Sequence, residues 1–91
     1  MNEILKKIED ILDAKFSGDG GRYSWNSDED EEGNSFEIDE AVEEILNGCG
    51  IANYDVTSSD VFDCPSGIFG CLSIAFIHEG ALYHKIYDTI R

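Results

Sequence analysis

Apolar positions in the first fifteen residues fall at Ile4, Leu5, Ile8, Ile11 and Leu12, the spacing of one stripe along a helix over residues 2–15. Glu3, Lys6, Lys7, Glu9, Asp10 and Asp13 take its wet side, and Gly18, Gly20 and Gly21 supply turn chemistry to end it. Tyr23 and Trp25 then alternate with Arg22, Ser24 and Asn26, while Phe36 and Ile38 alternate with Ser35 and Glu37 beyond an acidic run, a pattern that predicts a short hairpin. A second helix follows, with Asp39 as its cap, a buried stripe of Ala41, Val42, Ile45, Leu46 and Cys49, and Gly48 in the left-handed terminating position. If residues 35–38 join this helix instead of pairing as a strand, Ser35 becomes the cap.

The texture changes after Gly50. β-branched and aromatic residues with turn punctuation predict strands at 51–62, 67–78 and 81–90. Glu79-Gly80 reads as a two-residue turn that pairs Ile77 with Leu82, Phe76 with Tyr83 and Ala75 with His84. On that register Phe69, Cys71, Ala75, Ile77, Leu82, Ile86 and Ile90 share one face, expected to lie under the helices. The other face, Leu72, Ile74, Phe76, Tyr83, Lys85 and Tyr87, is expected to be half-wet or covered by a partner. The elements add up to an α+β fold, two amphipathic helices on a small, mainly antiparallel sheet in the order α-β-β-α-β-β-β.

At 91 residues there is room for one core, and 42% hydrophobic residues suffice to fill it, so residues 1–91 form a single domain. The adjacent charges Asp28-Glu29-Asp30-Glu31-Glu32 before Gly33 predict a solvated, mobile acidic loop at 27–34. Charge changes the picture further. The net charge is −14, and no Lys or Arg occurs between Arg22 and Lys85, a stretch holding fourteen of the twenty acids. Such a field disfavours nucleic-acid phosphates and anionic membranes and favours a basic partner. No run is apolar for the 18 or more residues of a membrane span, and Met1-Asn2-Glu3-Ile4-Leu5-Lys6-Lys7 lacks a signal-peptide apolar region, which points to the cytoplasm. Cys49, Cys64 and Cys71 are odd in number, so reduced thiols are expected.

Several constellations bear on chemistry. Asp28-x-Asp30-x-Glu32-Gly33, with Asp39 at the twelfth position, matches part of a calcium loop. Ser35 stands where an apolar residue is usual, and Gly18, Gly20 and Gly21 spoil the preceding helix. A calcium-responsive module centred on Asp28, Asp30, Glu32 and Asp39 is therefore one alternative, with a plain acidic loop the stronger reading. Cys64, Cys71 and His78 lie seven apart, too far for a zinc knuckle, and acids around Cys64 suppress its thiolate. No two carboxylates are singled out for acid–base work, and Gly18-Asp19-Gly20-Gly21 has an acid where a phosphate would sit. The expectation is a binding protein, with no catalytic residues, metal or cofactor.

Its binding residues are expected to be Asp28, Glu29, Asp30, Glu31 and Glu32 in the loop and Glu40, Glu43 and Glu44 on the second helix, with Trp25 and Tyr23 as flat anchors. In size, charge and α+β texture the chain is similar to small phage-encoded inhibitors that mimic nucleic acid, anti-CRISPR proteins among them, and to acidic immunity proteins that neutralise basic nucleases. The similarity is compositional and implies an inhibitor of a basic nucleic-acid-handling protein, such as a nuclease or CRISPR effector. A further alternative is an assembly component whose Leu72, Ile74, Phe76, Tyr83 and Tyr87 face buries against another copy.

Overall fold

The computed structural model describes residues 2–18, 21–27, 31–33, 35–65 and 67–90. Its elements are α1 (Glu3–Lys15), β1 (Tyr23–Ser24), α2 (Ile38–Gly48), β2 (Tyr54–Cys64), β3 (Gly67–His78) and β4 (Ala81–Ile90). The result is an α+β fold: two helices and one mixed sheet of strand order β1-β4-β3-β2. β2, β3 and β4 form an antiparallel meander, and β1 joins β4 in parallel.

Local chemistry accounts for the helix ends. The Asn2 side chain accepts from the Ile4 N–H at 2.7 Å and caps α1. α2 begins one residue before Asp39, because Ile38, Val42 and Leu46, four apart, form its fully buried stripe. Asp39 is therefore not the cap. It sits in the first turn, its carboxylate accepting from the Glu40 N–H at 2.8 Å, while Glu37 holds the cap position without a side-chain bond. Gly48 is helical, and the left-handed residue is Gly50, with φ 77°. Its N–H reaches the Asn47 carbonyl at 3.1 Å and the Ile51 N–H reaches that of Leu46 at 3.0 Å, the paired bonds of a Schellman stop with Leu46 and Ile51 both buried.

The expected hairpin of 22–26 with 35–38 survives as a single antiparallel bridge, Asn26 to Glu37, beside a Ser27 N–H to Phe36 carbonyl bond of 2.9 Å. The main pairing of the first segment is instead with β4: Tyr23 faces Thr89, Ser24 faces Ile90, and the Trp25 N–H donates to the Ile90 carbonyl at 3.0 Å. The sheet edge at β4 was open, and a two-residue strand fills it. The final hairpin follows the expected register, with Glu79 at φ 53° and Gly80 at φ 80°, as a primed two-residue turn requires.

The sheet faces are the reverse of expectation. Leu72, Ile74 and Phe76 are buried on the helix side with Tyr87 and Thr89, packed with Ile4, Ile8, Leu12 and Phe16 from α1 and its cap and with Ile38, Val42 and Leu46 from α2. Tyr83 packs there too, stacked on Phe76 with centroids 5.3 Å apart. Ile77, Leu82 and Ile86 are 47%, 72% and 57% exposed on the opposite face. An assembly through Leu72, Ile74, Phe76, Tyr83 and Tyr87 is thus excluded, since that surface is the core.

Candidate acidic interface

α1 lies across β4 and β1. The Tyr87 hydroxyl donates to Glu9 Oε1 at 2.8 Å, the Lys85 ammonium stands 4.0 Å from the same oxygen, and the Tyr23 hydroxyl donates to Asp13 at 2.7 Å. The two rings meet edge to face, centroids 5.6 Å apart. Burial, then the bond to Asp13, pushes the Tyr23 hydroxyl up to about 12. Burial and the bond to Glu9 raise that of Tyr87 further above its ordinary value. Tyr23 is accordingly tied to α1 as a strut. Trp25 is half-buried against the core, its carbonyl accepting from the Ile38 N–H at 2.8 Å where α2 starts.

α2 packs beside α1 and over β2, so the helix layer divides the molecule into two electrostatic halves. Among the described residues, Lys6, Lys7 and Lys15 are on α1, Arg22 precedes β1 and Lys85 is on β4; α2, β2 and β3 carry no Lys or Arg. The same three elements hold Asp39, Glu40, Glu43 and Glu44 on α2 and Asp55, Asp60 and Asp63 on β2. Glu40, Glu43 and Glu44 stand at i, i+3 and i+4, neighbours on one helix surface, with Glu40 and Glu44 exposed and Glu43 half-buried. Glu31 and Glu32 are exposed in a turn ahead of them; Asp28, Glu29 and Asp30 lie outside the described residues.

Between the helices is a groove of about 450 Å³ whose walls include Ile11, Phe16, Phe36, Ala41 and Ile45, with Lys15 and Glu44 at its rim. Phe36, 51% exposed, lies outside any strand despite its alternation with Ser35 and Glu37, and offers an apolar contact beside the acids. Phe36 is held by its N–H bond to the Ser27 hydroxyl at 2.9 Å.

Other chemistry is sparse. Ser73 Oγ and His84 Nε2 are 2.9 Å apart, a hydroxyl–imidazole pair set diagonally across the β3–β4 register. The pair stands on the open face of the sheet, between β3 and β4. No disulfide joins Cys49, Cys64 and Cys71. Among the described residues no three His, Cys, Asp or Glu side chains converge as metal ligands. Of the calcium-loop residues, Glu32 and Asp39 are described, whereas Asp28 and Asp30 are not. No described helix is long and apolar enough to cross a membrane. Comparison with protein-family models, curated proteins and solved structures finds no match to this chain.

Proposed function

We propose that the chain is a small acidic binding protein of inhibitor type, which engages a basic nucleic-acid-handling protein by presenting α2 and β2 where that partner takes nucleic acid. The supporting observation is the segregation of charge: every described Lys and Arg lies on α1, before β1 or on β4, leaving a half of one sign. Such a half steers a basic partner over a distance of about a Debye length, roughly 10 Å at 0.1 M salt. Duplex DNA presents one negative charge per about 1.7 Å of axis, and clustered carboxylates address the same Lys and Arg side chains. Charge supplies rate and orientation, while Phe36 and the adjoining groove offer the apolar contact from which much binding energy comes.

The test is affinity capture from lysate of the cells that make the protein, at about 0.1 M and about 0.5 M salt, the latter reducing the screening length below ~5 Å. One bait carries Glu40→Gln, Glu43→Gln and Glu44→Gln. A control carries three neutralised acids elsewhere, Glu3→Gln, Asp10→Asn and Glu79→Gln. The proposal expects one basic nucleic-acid-binding protein to be retained by the native and control baits, and lost with the α2 variant and at high salt. Equal loss with both variants would reduce the acidic half to a solubilising coat.

A further inference from the structure

From the open face of the sheet we infer that the chain forms a two-fold symmetric dimer, sheet on sheet, with a second copy as the partner of that face. The inference is independent of the proposal for the acidic half. Its basis is a pattern that becomes visible only with the register. Along β4 the open-face residues are Leu82, His84, Ile86, Asp88 and Ile90, and opposite them on β3 stand Ile77, Ala75, Ser73, Cys71 and Phe69. Both rows read alike from either end about the Ser73–Ile86 pair: large apolar, small or polar, centre, small or polar, large apolar. Two asymmetries stand out: His84 mirrors Asp88, a basic side chain against an acidic one, and the Arg22 guanidinium lies 4.5 Å over the Phe69 ring at one end of the row.

A two-fold axis between two such faces, perpendicular to the strands and over the Ser73–Ile86 row, uses that symmetry. It sets Ile86 against Ile86 of the second copy and each His84 against the second copy's Asp88. It also brings the Phe69 end, where the Phe62 ring lies 4.9 Å from Phe69, to the second copy's Ile77–Leu82 end. There a shallow depression of about 220 Å³ lies among Asp55, Ala75, Ile77 and Leu82. Each such contact is made twice, as an isologous interface requires. An axis running along β4 would instead set Asp88 against Asp88, at a cost to a chain of net charge −14.

Charge placement allows the pairing. Among the described residues the open face carries only Asp55 and Asp88 of the acids, and facing sheets put both helix layers, with most of the carboxylates, outermost. The three strands offer a patch of roughly 30 by 14 Å, near 800 Å² in projection for two copies. A specific interface buries about 1,000 Å² or more, so the pairing has to engage the exposed Phe62 and Leu82 side chains at the two ends of the patch as well.

Sedimentation equilibrium of the full chain tests the inference. A 10.1 kDa monomer should give way to a species of twice that mass, and association should strengthen as salt rises from about 0.05 to about 0.5 M, because screening relieves repulsion between the copies. Ile86→Asp sets two acids against each other at the axis and should raise Kd at least ~30-fold, with the circular dichroism unchanged because Ile86 is 57% exposed. His84→Asp should weaken association about tenfold or more, and His84→Asp with Asp88→His should return it to within about threefold, since the swap restores the cross-axis pair. A monomer at ~0.5 mM protein and ~0.5 M salt would overturn the inference. So would a dimer indifferent to Ile86→Asp, or a double variant no tighter than His84→Asp.

Discussion

Tyr87→Phe isolates the bond that fastens α1 to the sheet. The ring, 8% exposed, is kept, so core volume and the edge-to-face contact with Tyr23 remain. Only the hydroxyl that donates to Glu9 at 2.8 Å is lost. A bond to a charged acceptor contributes roughly 1.5–3 kcal/mol. Glu9 keeps 23% of its side-chain exposure and the Lys85 ammonium at 4.0 Å, so the loss belongs at the lower end, about 1.5 kcal/mol. For a domain of this size that lowers Tm by about 6–12 °C. The pH dependence follows from the raised hydroxyl pKa. Below the ordinary tyrosine pKa of about 10 the hydroxyl is protonated in both states and its contribution is complete. Above it the unfolded chain releases a proton that the folded chain retains, so stability falls with rising pH by up to ~1.4 kcal/mol per unit for this group. Urea unfolding of both proteins at pH 8 and pH 11 should show an advantage of about 1.5 kcal/mol for the native chain at pH 8, nearly gone at pH 11. An advantage under ~0.3 kcal/mol at pH 8, or one undiminished at pH 11, would refute the reasoning.

Two further substitutions probe the frame. Asn2→Ala removes the side-chain acceptor from the Ile4 N–H and should cost about 1 kcal/mol by urea unfolding, whereas Asn2→Asp should be close to neutral. Gly70→Ala places a Cβ against the Ser59 carbonyl oxygen on β2 and 3.2 Å from Thr89 Oγ1 on β4; with backbone on one side and a buried hydroxyl on the other, a loss of about 1–3 kcal/mol is expected in the same assay.

Much of the fold was legible because its periodicities are long. The α1 stripe and the β3–β4 hairpin follow from spacing and from Glu79-Gly80, and the expected strands at 67–78 and 81–90 coincide with β3 and β4. What was misread depended on contacts distant in sequence. β1 is too short to announce its neighbour, and its parallel seat against Thr89 and Ile90 is fixed by the chain's return after α1. The sheet faces were inverted because both are apolar and tyrosines suggested the wet one. Tyr87 turns inward since Glu9, 78 positions away, receives its hydroxyl. The better guide was the central strand: β3 offers large Leu72, Ile74 and Phe76 to one side and small Cys71, Ser73 and Ala75 to the other, and a helix layer covers the larger set. Of the candidate site, Glu40, Glu43 and Glu44 were readable as the wet side of an amphipathic helix. The confinement of bases to the other half was not, because it depends on which strand each helix covers. Phe36 was concealed by an alternation that produced only one bridge.

The division into halves also assigns different surfaces to different partners. On the two proposals, the basic partner meets α2 and the Asp60 and Asp63 side of β2, a second copy meets the open sheet face that carries Asp55, and the two associations should respond to salt with opposite sign. The most direct measurement is competition: with the captured basic protein bound to the immobilised chain at about 0.1 M salt, a short DNA or RNA duplex is titrated in and release is followed. The mimicry reading predicts full displacement, saturating at the partner's own affinity for nucleic acid and unneeded for the α2 variant, which never loads. Formation of a ternary complex, with nucleic acid and this protein on the partner together, would contradict it.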